Sequence, residues 1–335
     1  MEQKKRNILI IGGAGFIGSH LCFELVKQHN VICVDNFSTS TIENIAPLLE
    51  NANFKFIKHD ITEPLDLESY VELAPMKVPY VGIHEIYNLA CPTSPKQYNA
   101  FPIDTLLANS HGTKNALDIA VKYKAKILHF STSAVYGEPL EQGPFPETYW
   151  GYIDPLGPRS PYNEGKRFAE TMVTQYRNAF GIDAKIVRIF NTYGPRMRLT
   201  DGRMIPDFIS QALKNEPIGI YGTEKDISTF CYITDMIEGI TRVMRSSEQG
   251  PINLGSSESL PVVDIARLVI KLAESSSDIV LEDPLPYSAK QGIPDITIAK
   301  ERLGWFPVVS PEEGLTATIE YMRGSRSVSM DEVKL

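Results

Sequence analysis

Tyr162-Asn163-Glu164-Gly165-Lys166 sets a phenol and an ammonium four residues apart. On a helix, positions i and i+4 share one face. An ammonium beside a phenol lowers its pKa. Tyr162 is therefore expected to accept a proton from a substrate hydroxyl while the attached carbon is oxidised. On an arbitrary helix such a pair is surface decoration. Its place downstream of Ser131-Thr132-Ser133, which ends an apolar run, favours chemistry. A hydroxyl at Thr132 can share the substrate oxygen with Tyr162.

Gly12, Gly15 and Gly18 follow one apolar run and open a helical pattern. Glycine permits a tight turn and lets backbone N–H groups approach a pyrophosphate at a helix N-terminus. The same glycines would also serve an ordinary strand–helix turn. Asp35 ends the next apolar run, about where an acidic residue meets the adenosine ribose hydroxyls. Its carboxylate would repel a 2′-phosphate, which selects NAD over NADP. A turn or helix-capping aspartate is the other reading, and Asn36 beside it is compatible with that.

These residues need a scaffold. Apolar runs at Asn7–Ile11, Val31–Asp35, Phe54–Ile57, Glu85–Ala90, Lys126–Thr132 and Ala184–Asn191 read as buried strands. Helical patterns fall at Ile17–Gln28, Thr105–Lys122 and Tyr162–Phe180. Such alternation predicts an α/β fold, a Rossmann-type doubly wound parallel sheet with helices on both faces. After Asn191, Pro and Gly punctuate shorter pieces, among them helices near Pro206–Leu213, Asp235–Met244 and Val262–Ala273 and a strand at Ile252–Leu254. This predicts a smaller mixed α/β substrate domain. The expected division is 1–191 for the cofactor and 192–323 for the substrate, with some chain exchange, then a frayed polar tail at 324–335.

Composition narrows the function. Hydrophobic residues make up 43% and charged residues 22%, the values of a folded globular protein. A net charge of −8 argues against a nucleic-acid surface or a polybasic membrane patch. No apolar run is long enough to span a membrane. Met1–Arg6 lacks the features of a signal peptide, so a cytoplasmic location is expected. Cys22, Cys33, Cys91 and Cys231 show no metal-ligand spacing and no disulfide framework.

Taken together, the glycine turn, Ser131-Thr132 with Val135-Tyr136-Gly137, Tyr162/Lys166 and Arg188 through Arg196 resemble the NAD-dependent epimerase/dehydratase family. Within it the chain is most similar to the UDP-glucuronate decarboxylases. That similarity rests on Tyr149-Trp150-Gly151, Gly157-Pro158-Arg159, Glu164 to Arg167, Gly194 to Met197 and Asp201-Gly202-Arg203. It covers about residues 6 to 322, with an apparent insertion near Leu67–Val81. The resemblance implies an Asn–Ser/Thr–Tyr–Lys tetrad, with Asn109 in its first position. It implies NAD against Gly12, Gly15, Phe16, Ile17, Gly18, Asp35, Asn36, Asp60, Ile61, Leu89, Ala90, Tyr162 and Lys166. It further implies a sugar nucleotide oxidised transiently at C4. Pro92, Thr132, Asn191, Arg196 and Arg203 would hold it. For Arg203 a surface salt bridge is the plainer alternative. Relatives commonly pair through two helices per subunit, so a homodimer built on Thr105–Lys122 and Tyr162–Phe180 is expected.

Three departures bear on the net reaction. The decarboxylases carry a glutamate where this chain has Ala134, and an alanine cannot move a proton. An arginine of the family is replaced by Ser228, and another is replaced near Gln291-Gly292. Losing one charged clamp on a diphosphate costs about 1.5–3 kcal/mol. Lys225, Arg196, Arg198 or Arg203 would have to compensate. Oxidation at C4 is untouched by these changes. The expectation is a decarboxylase-like enzyme that decarboxylates poorly, with 4-epimerisation or simple sugar oxidation as alternatives. A non-catalytic NAD-binding regulator is a remote one.

Overall fold

The computed structural model describes residues 5–139, 143–199, 202–284 and 292–331. Its centre is a seven-stranded sheet. We label its strands β1 (Asn7–Ile11), β2 (Asn30–Asp35), β3 (Phe54–Lys58), β4 (Glu85–Asn88), β5 (Lys126–Thr132), β6 (Ala184–Ile189) and β7 (Pro251–Leu254). They lie in the order β7-β6-β5-β4-β1-β2-β3, every neighbouring pair parallel. The order reverses between β1 and β4, the switch point where open α/β sheets bind ligands.

Alternation along β1 and β2 feeds two cores. Ile8, Ile10, Val31 and Cys33 pack on one face against helix α1 (Phe16–Leu25) and the helix Ile233–Arg245. Leu9, Ile11, Ile32 and Val34 pack on the other, against Ala116, Leu117 and Ala120 of the helix Thr113–Tyr123 and Val173 of the helix Ser160–Phe180. Strands buried on both sides are why these runs are almost wholly apolar. A third core gathers residues of Met204–Ala212, Val262–Ala273 and Leu315, Ile319 and Met322.

Three expectations are corrected. Thr105–Lys122 is not one regular helix. It is α2 (Pro102–Leu107), a π-turn (Ala108–Gly112) and α3 (Thr113–Tyr123). Ile252–Leu254, read as part of the smaller domain, is the edge of the main sheet, where Ile252 pairs with Val187. The segment from Gly324 does not begin a frayed tail, because a helix runs from Pro311 to Asp331; residues 332–335 lie outside the described residues. The apparent insertion forms short helical turns at Leu67–Ser69, Val71–Met76 and Val78–Val81, which bury Leu67, Leu73, Met76 and Val78. Among the described residues no helix is long and apolar enough to cross a membrane.

Candidate active site

The β1–α1 turn is built around its glycines. Gly12 has φ +80°, and a Cβ there would stand 2.8 Å from the Ala90 nitrogen. A Cβ on Gly18 would stand 2.2 Å from the Gly12 carbonyl oxygen. Only glycine allows so close a strand–turn–helix packing. Gly15 precedes α1 with no side-chain cap, so the helix N-terminus presents backbone N–H groups, as anion sites do.

Asp35 is 9% exposed, at the end of β2. Its Oδ2 accepts from the Ala14 N–H at 3.0 Å; its Oδ1 accepts from the Phe37 N–H at 2.9 Å and the Ser40 hydroxyl at 2.7 Å. A carboxylate offers about four lone-pair sites. Three are used in fixing the glycine turn and the next loop, which leaves room for a further donor. Asn36 donates to Asp60 at 2.8 Å, and Asp60 also accepts from the Thr62 N–H and hydroxyl. The residues present therefore fit a dinucleotide with unphosphorylated ribose.

A cavity of about 790 Å3 runs from this turn to α4 (Ser160–Phe180). It is lined by every residue assigned above to cofactor, substrate or catalysis except Asn109. Tyr162 and Lys166 are 7% and 3% exposed on α4. The Thr132 hydroxyl, at the end of β5, engages the Tyr162 phenol and accepts from the Ala134 N–H at 3.2 Å. Tyr98 stacks on Tyr162, ring centroids 5.0 Å apart and planes 8° apart.

Lys166 differs from expectation. Its Nζ donates to the Phe130 carbonyl oxygen at 2.7 Å. Burial lowers its pKa, opposed by the charges of Cys91 and Glu170. Burial also pushes the Tyr162 phenol up, where the sequence reading expected a depressed value; the Thr132 hydroxyl opposes this. Burial denies the phenolate form its hydration, and this outweighs the neighbours that favour it.

Asn109 stands behind the cavity, 1% exposed, on the π-turn. Its Nδ2 donates to the Thr105 carbonyl at 2.8 Å and to the Cys91 sulfur at 3.1 Å. A Cβ on Gly165 would lie 3.0 Å from that nitrogen, so a glycine between Tyr162 and Lys166 admits Asn109 against α4. The widened turn sets Asn109 at this contact, a use π-bulges often have.

Towards the C-terminal part, Asn191 donates to the Ser228 hydroxyl at 3.3 Å and the Thr229 carbonyl at 3.1 Å. Arg203 donates to the Thr93 hydroxyl at 2.5 Å, beside Pro92. Arg196, at φ +67°, lays its guanidinium 3.8 Å from the Phe23 ring centroid, against α1. Arg198 donates to the Ser40 carbonyl at 2.9 Å, on the Asp35 loop. Lys225 is exposed and off the cavity wall. Of the four candidate substitutes, Arg203 alone sits in the Tyr98–Thr93 corner.

The sequence reading named Pro92 and Arg203 in that corner and missed Thr93, Tyr98 and Arg159. Tyr98 is 1% exposed, and its hydroxyl finds no partner in hydrogen-bond geometry among the described residues; Arg159 Nε and Asn163 Oδ1 beside the cavity are likewise unmatched. Burial pushes the Tyr98 phenol up, and the charges of Arg159 and Arg203 oppose that. Arg159 was visible only as part of Gly157-Pro158-Arg159, with no signal for a role.

The departures are also placed. Ala134 lines the cavity, and no carboxylate stands in the Ser131–Gly137 turn. Ser228 is buried on a short strand and lies off the wall. Gly292 lines the cavity, and a Cβ there would overlap the Phe145 ring at 1.7 Å. Gln291 and Glu141 lie outside the described residues, and Glu138 is exposed off the wall.

With a switch-point cavity, a glycine turn and a Tyr–Lys helix in one place, comparison with known proteins is direct. The model of the NAD dependent epimerase/dehydratase family matches residues 8–255, and the chain belongs to this family. UDP-glucuronic acid decarboxylase 5 of Arabidopsis thaliana is 42% identical over 323 residues, which are 96% of this chain and 90% of that protein. UDP-glucose 4-epimerase of Thermotoga maritima superposes with a TM-score of 0.84 at 28% identity, covering 96% of this chain and 99% of that one. UDP-glucuronic acid 4-epimerase of Bacillus cereus, solved with UDP-glucuronic acid and NAD, superposes with a TM-score of 0.81 at 30% identity, covering 95% and 99%. The chain is thus an NAD-dependent enzyme of the sugar-nucleotide-modifying kind.

Proposed function

We propose that this enzyme oxidises the C4 hydroxyl of a sugar nucleotide bearing an anionic sugar, hydride passing to NAD and, where a 4-epimer forms, returning to the other face of the ketone. The observation that carries the reading is the meeting of Thr132, Tyr162 and Lys166 on the cavity that also holds the Gly12–Gly18 turn. When bound, NAD supplies the acceptor and donor of hydride and a positive ring charge that favours the phenolate.

Gly12, Gly15 and Gly18 with the first turn of α1 take the pyrophosphate, and Phe16 and Ile17 open that helix. Asp35 and Asn36 take the ribose, Asp60 and Ile61 the adenine end, and Leu89 and Ala90 the wall between. Thr132 orients the sugar oxygen. Tyr162 accepts its proton, as general bases do. Lys166 holds its amino group at the Phe130 carbonyl one helical turn along α4, and Asn109 braces the Cys91 loop. Pro92, Asn191, Arg196 and Arg203 hold the nucleotide sugar. Arg159 and Arg203, which line the cavity with Tyr98, suit a carboxylate or phosphate oxygen.

Ala134 decides the net reaction. It offers no proton, and hydride return needs none beyond Tyr162. A 4-epimer, or a keto sugar accumulating with an equal amount of reduced cofactor, is the product this favours. Decarboxylation is the second reading, favoured by 42% identity to a UDP-glucuronic acid decarboxylase. A 4-keto uronate is a β-keto acid and carries its own electron sink. NMR of a mixture of enzyme, NAD and UDP-glucuronate separates the two. We expect the 4-epimer or keto sugar, and an Ala134→Glu, Ser228→Arg double variant that releases more CO2. Stoichiometric UDP-xylose at ordinary enzyme rates would establish decarboxylation instead.

The same reading assigns 1–191 to the cofactor and 192–323 to the substrate. It makes the enzyme a cytoplasmic homodimer. Four free thiols agree with a reducing compartment. Ile103 and Leu106 on α2 and Phe168 on α4, exposed by 63%, 40% and 51%, offer an apolar face for pairing.

A further inference from the structure

Three successive residues of β5 hold three residues of α4. The Phe130 carbonyl takes the Lys166 ammonium at 2.7 Å. Ser131 donates its hydroxyl to Glu170 Oε1 at 2.5 Å. Thr132 engages the Tyr162 phenol. Tyr162, Lys166 and Glu170 stand at i, i+4 and i+8, one stripe of the helix. Glu170 is the anchor of that stripe farthest from the cavity and does not line it.

Arg188 of β6 completes the anchor. Its Nε donates to Glu170 Oε1 at 2.9 Å and its Nη2 to Oε2 at 2.7 Å. This is a fork-to-fork ion pair, with side chains only 11% and 14% exposed. The Arg188 Nη1 donates to the Tyr136 hydroxyl at 2.9 Å and the Glu147 carbonyl at 3.0 Å. Tyr136 in turn donates to Asn253 Oδ1 at 2.7 Å. Asn253 Nδ2 holds the Phe145 and Asp295 carbonyls at 2.9 and 3.0 Å, in the segments that carry the cavity-lining Phe145 and Gly292.

We propose that Glu170 and Arg188 are positioning residues: through Ser131 they fix the register of α4 on β5, and so the distance from Tyr162 to Thr132. This rests on the reading of Tyr162 as the base. A misplacement of about 1 Å costs proton transfer about a hundredfold, so a rigid pin behind the site acts on turnover. Ser131, read from sequence only as one of three strand-ending hydroxyls, faces this pin with its hydroxyl engaged.

The test uses the full chain with NAD and UDP-glucuronate. Glu170→Gln keeps the shape and removes the charge; Ser131→Ala removes one hydrogen bond and leaves the ion pair. We expect kcat to fall about 10- to 100-fold in Glu170→Gln and about threefold in Ser131→Ala, with KM and NAD affinity unchanged within about twofold. A buried arginine left unpaired destabilises strongly, so if Glu170→Gln does not fold, Ser131→Ala decides by the same split. Normal kcat per folded enzyme in these variants, with only a lower Tm, would overturn the proposal. Tyr162→Phe is measured alongside. Lost turnover there with normal kcat in the other two defeats the positioning role alone; normal turnover in Tyr162→Phe defeats the base assignment itself.

Discussion

Tyr98 stacks face to face on Tyr162, with centroids 5.0 Å apart. The stack fixes the phenol's plane while Thr132 fixes its hydroxyl. Tyr162→Phe keeps the ring, the stack and the fold, and removes only the proton acceptor. Turnover should fall about 10²–10⁴-fold with NAD still bound. Steady-state rates beside cofactor titration check this, and near-normal turnover removes Tyr162 from the mechanism.

Asp35 accepts from the Ala14 N–H, and in the proposed reading it also meets the ribose. Purified enzyme should bind NAD much more tightly than NADP. Asp35→Ala should weaken NAD binding and narrow the gap, because the repelling carboxylate is gone. Equal affinities for the two dinucleotides in the unaltered enzyme would refute the assignment.

Arg159 is the residue that predicts substrate charge. Hydrogen bonds to charged groups contribute about 1.5–3 kcal/mol, about 10- to 150-fold. Arg159→Ala should raise KM for UDP-glucuronate within that range and change binding of UDP-glucose much less. An equal loss for both sugars would make Arg159 a structural residue.

Much of this site was legible because its signals are local. Three glycines, the aspartate ending β2 and the Tyr–Lys spacing each report a geometry that lies within one turn of chain. Tyr98 and Arg159 gave no such signal. They meet only when the Pro95–Ala100 helix packs by the start of α4, a contact between distant segments. The π-turn at Asn109 hid for the same reason, since it depends on packing against Gly165. Ile252–Leu254 was assigned to the wrong layer because a short apolar strand carries no address. The direction of the Tyr162 shift also depends on burial, which spacing does not report.

Stability should depend on His20 in mild acid. It sits on α1, its Nε2 paired at 3.0 Å with the Pro195 carbonyl. Burial lowers its pKa from 6.5 to about 4, helped by Arg196 and opposed by the Pro195 contact. The folded state then binds the proton less readily than the unfolded one, so stability rises with pH across this window. Its contribution is present above pH 6.5 and is lost as pH falls towards 4. Between pH 6.5 and 4 the Tm of His20→Gln should fall less steeply than that of the unaltered enzyme. An unchanged acid limb in the variant would assign the effect elsewhere.

Oxidation at C4 is tested by a single-turnover experiment. Enzyme loaded with NAD is mixed with UDP-glucuronate, or with the same sugar deuterated at C4, and the absorbance of reduced cofactor is followed. A transient of reduced cofactor is expected, its rise slowed by deuteration and its decay matching the appearance of product. Product formed with no reduced cofactor and no isotope effect would contradict oxidation at C4.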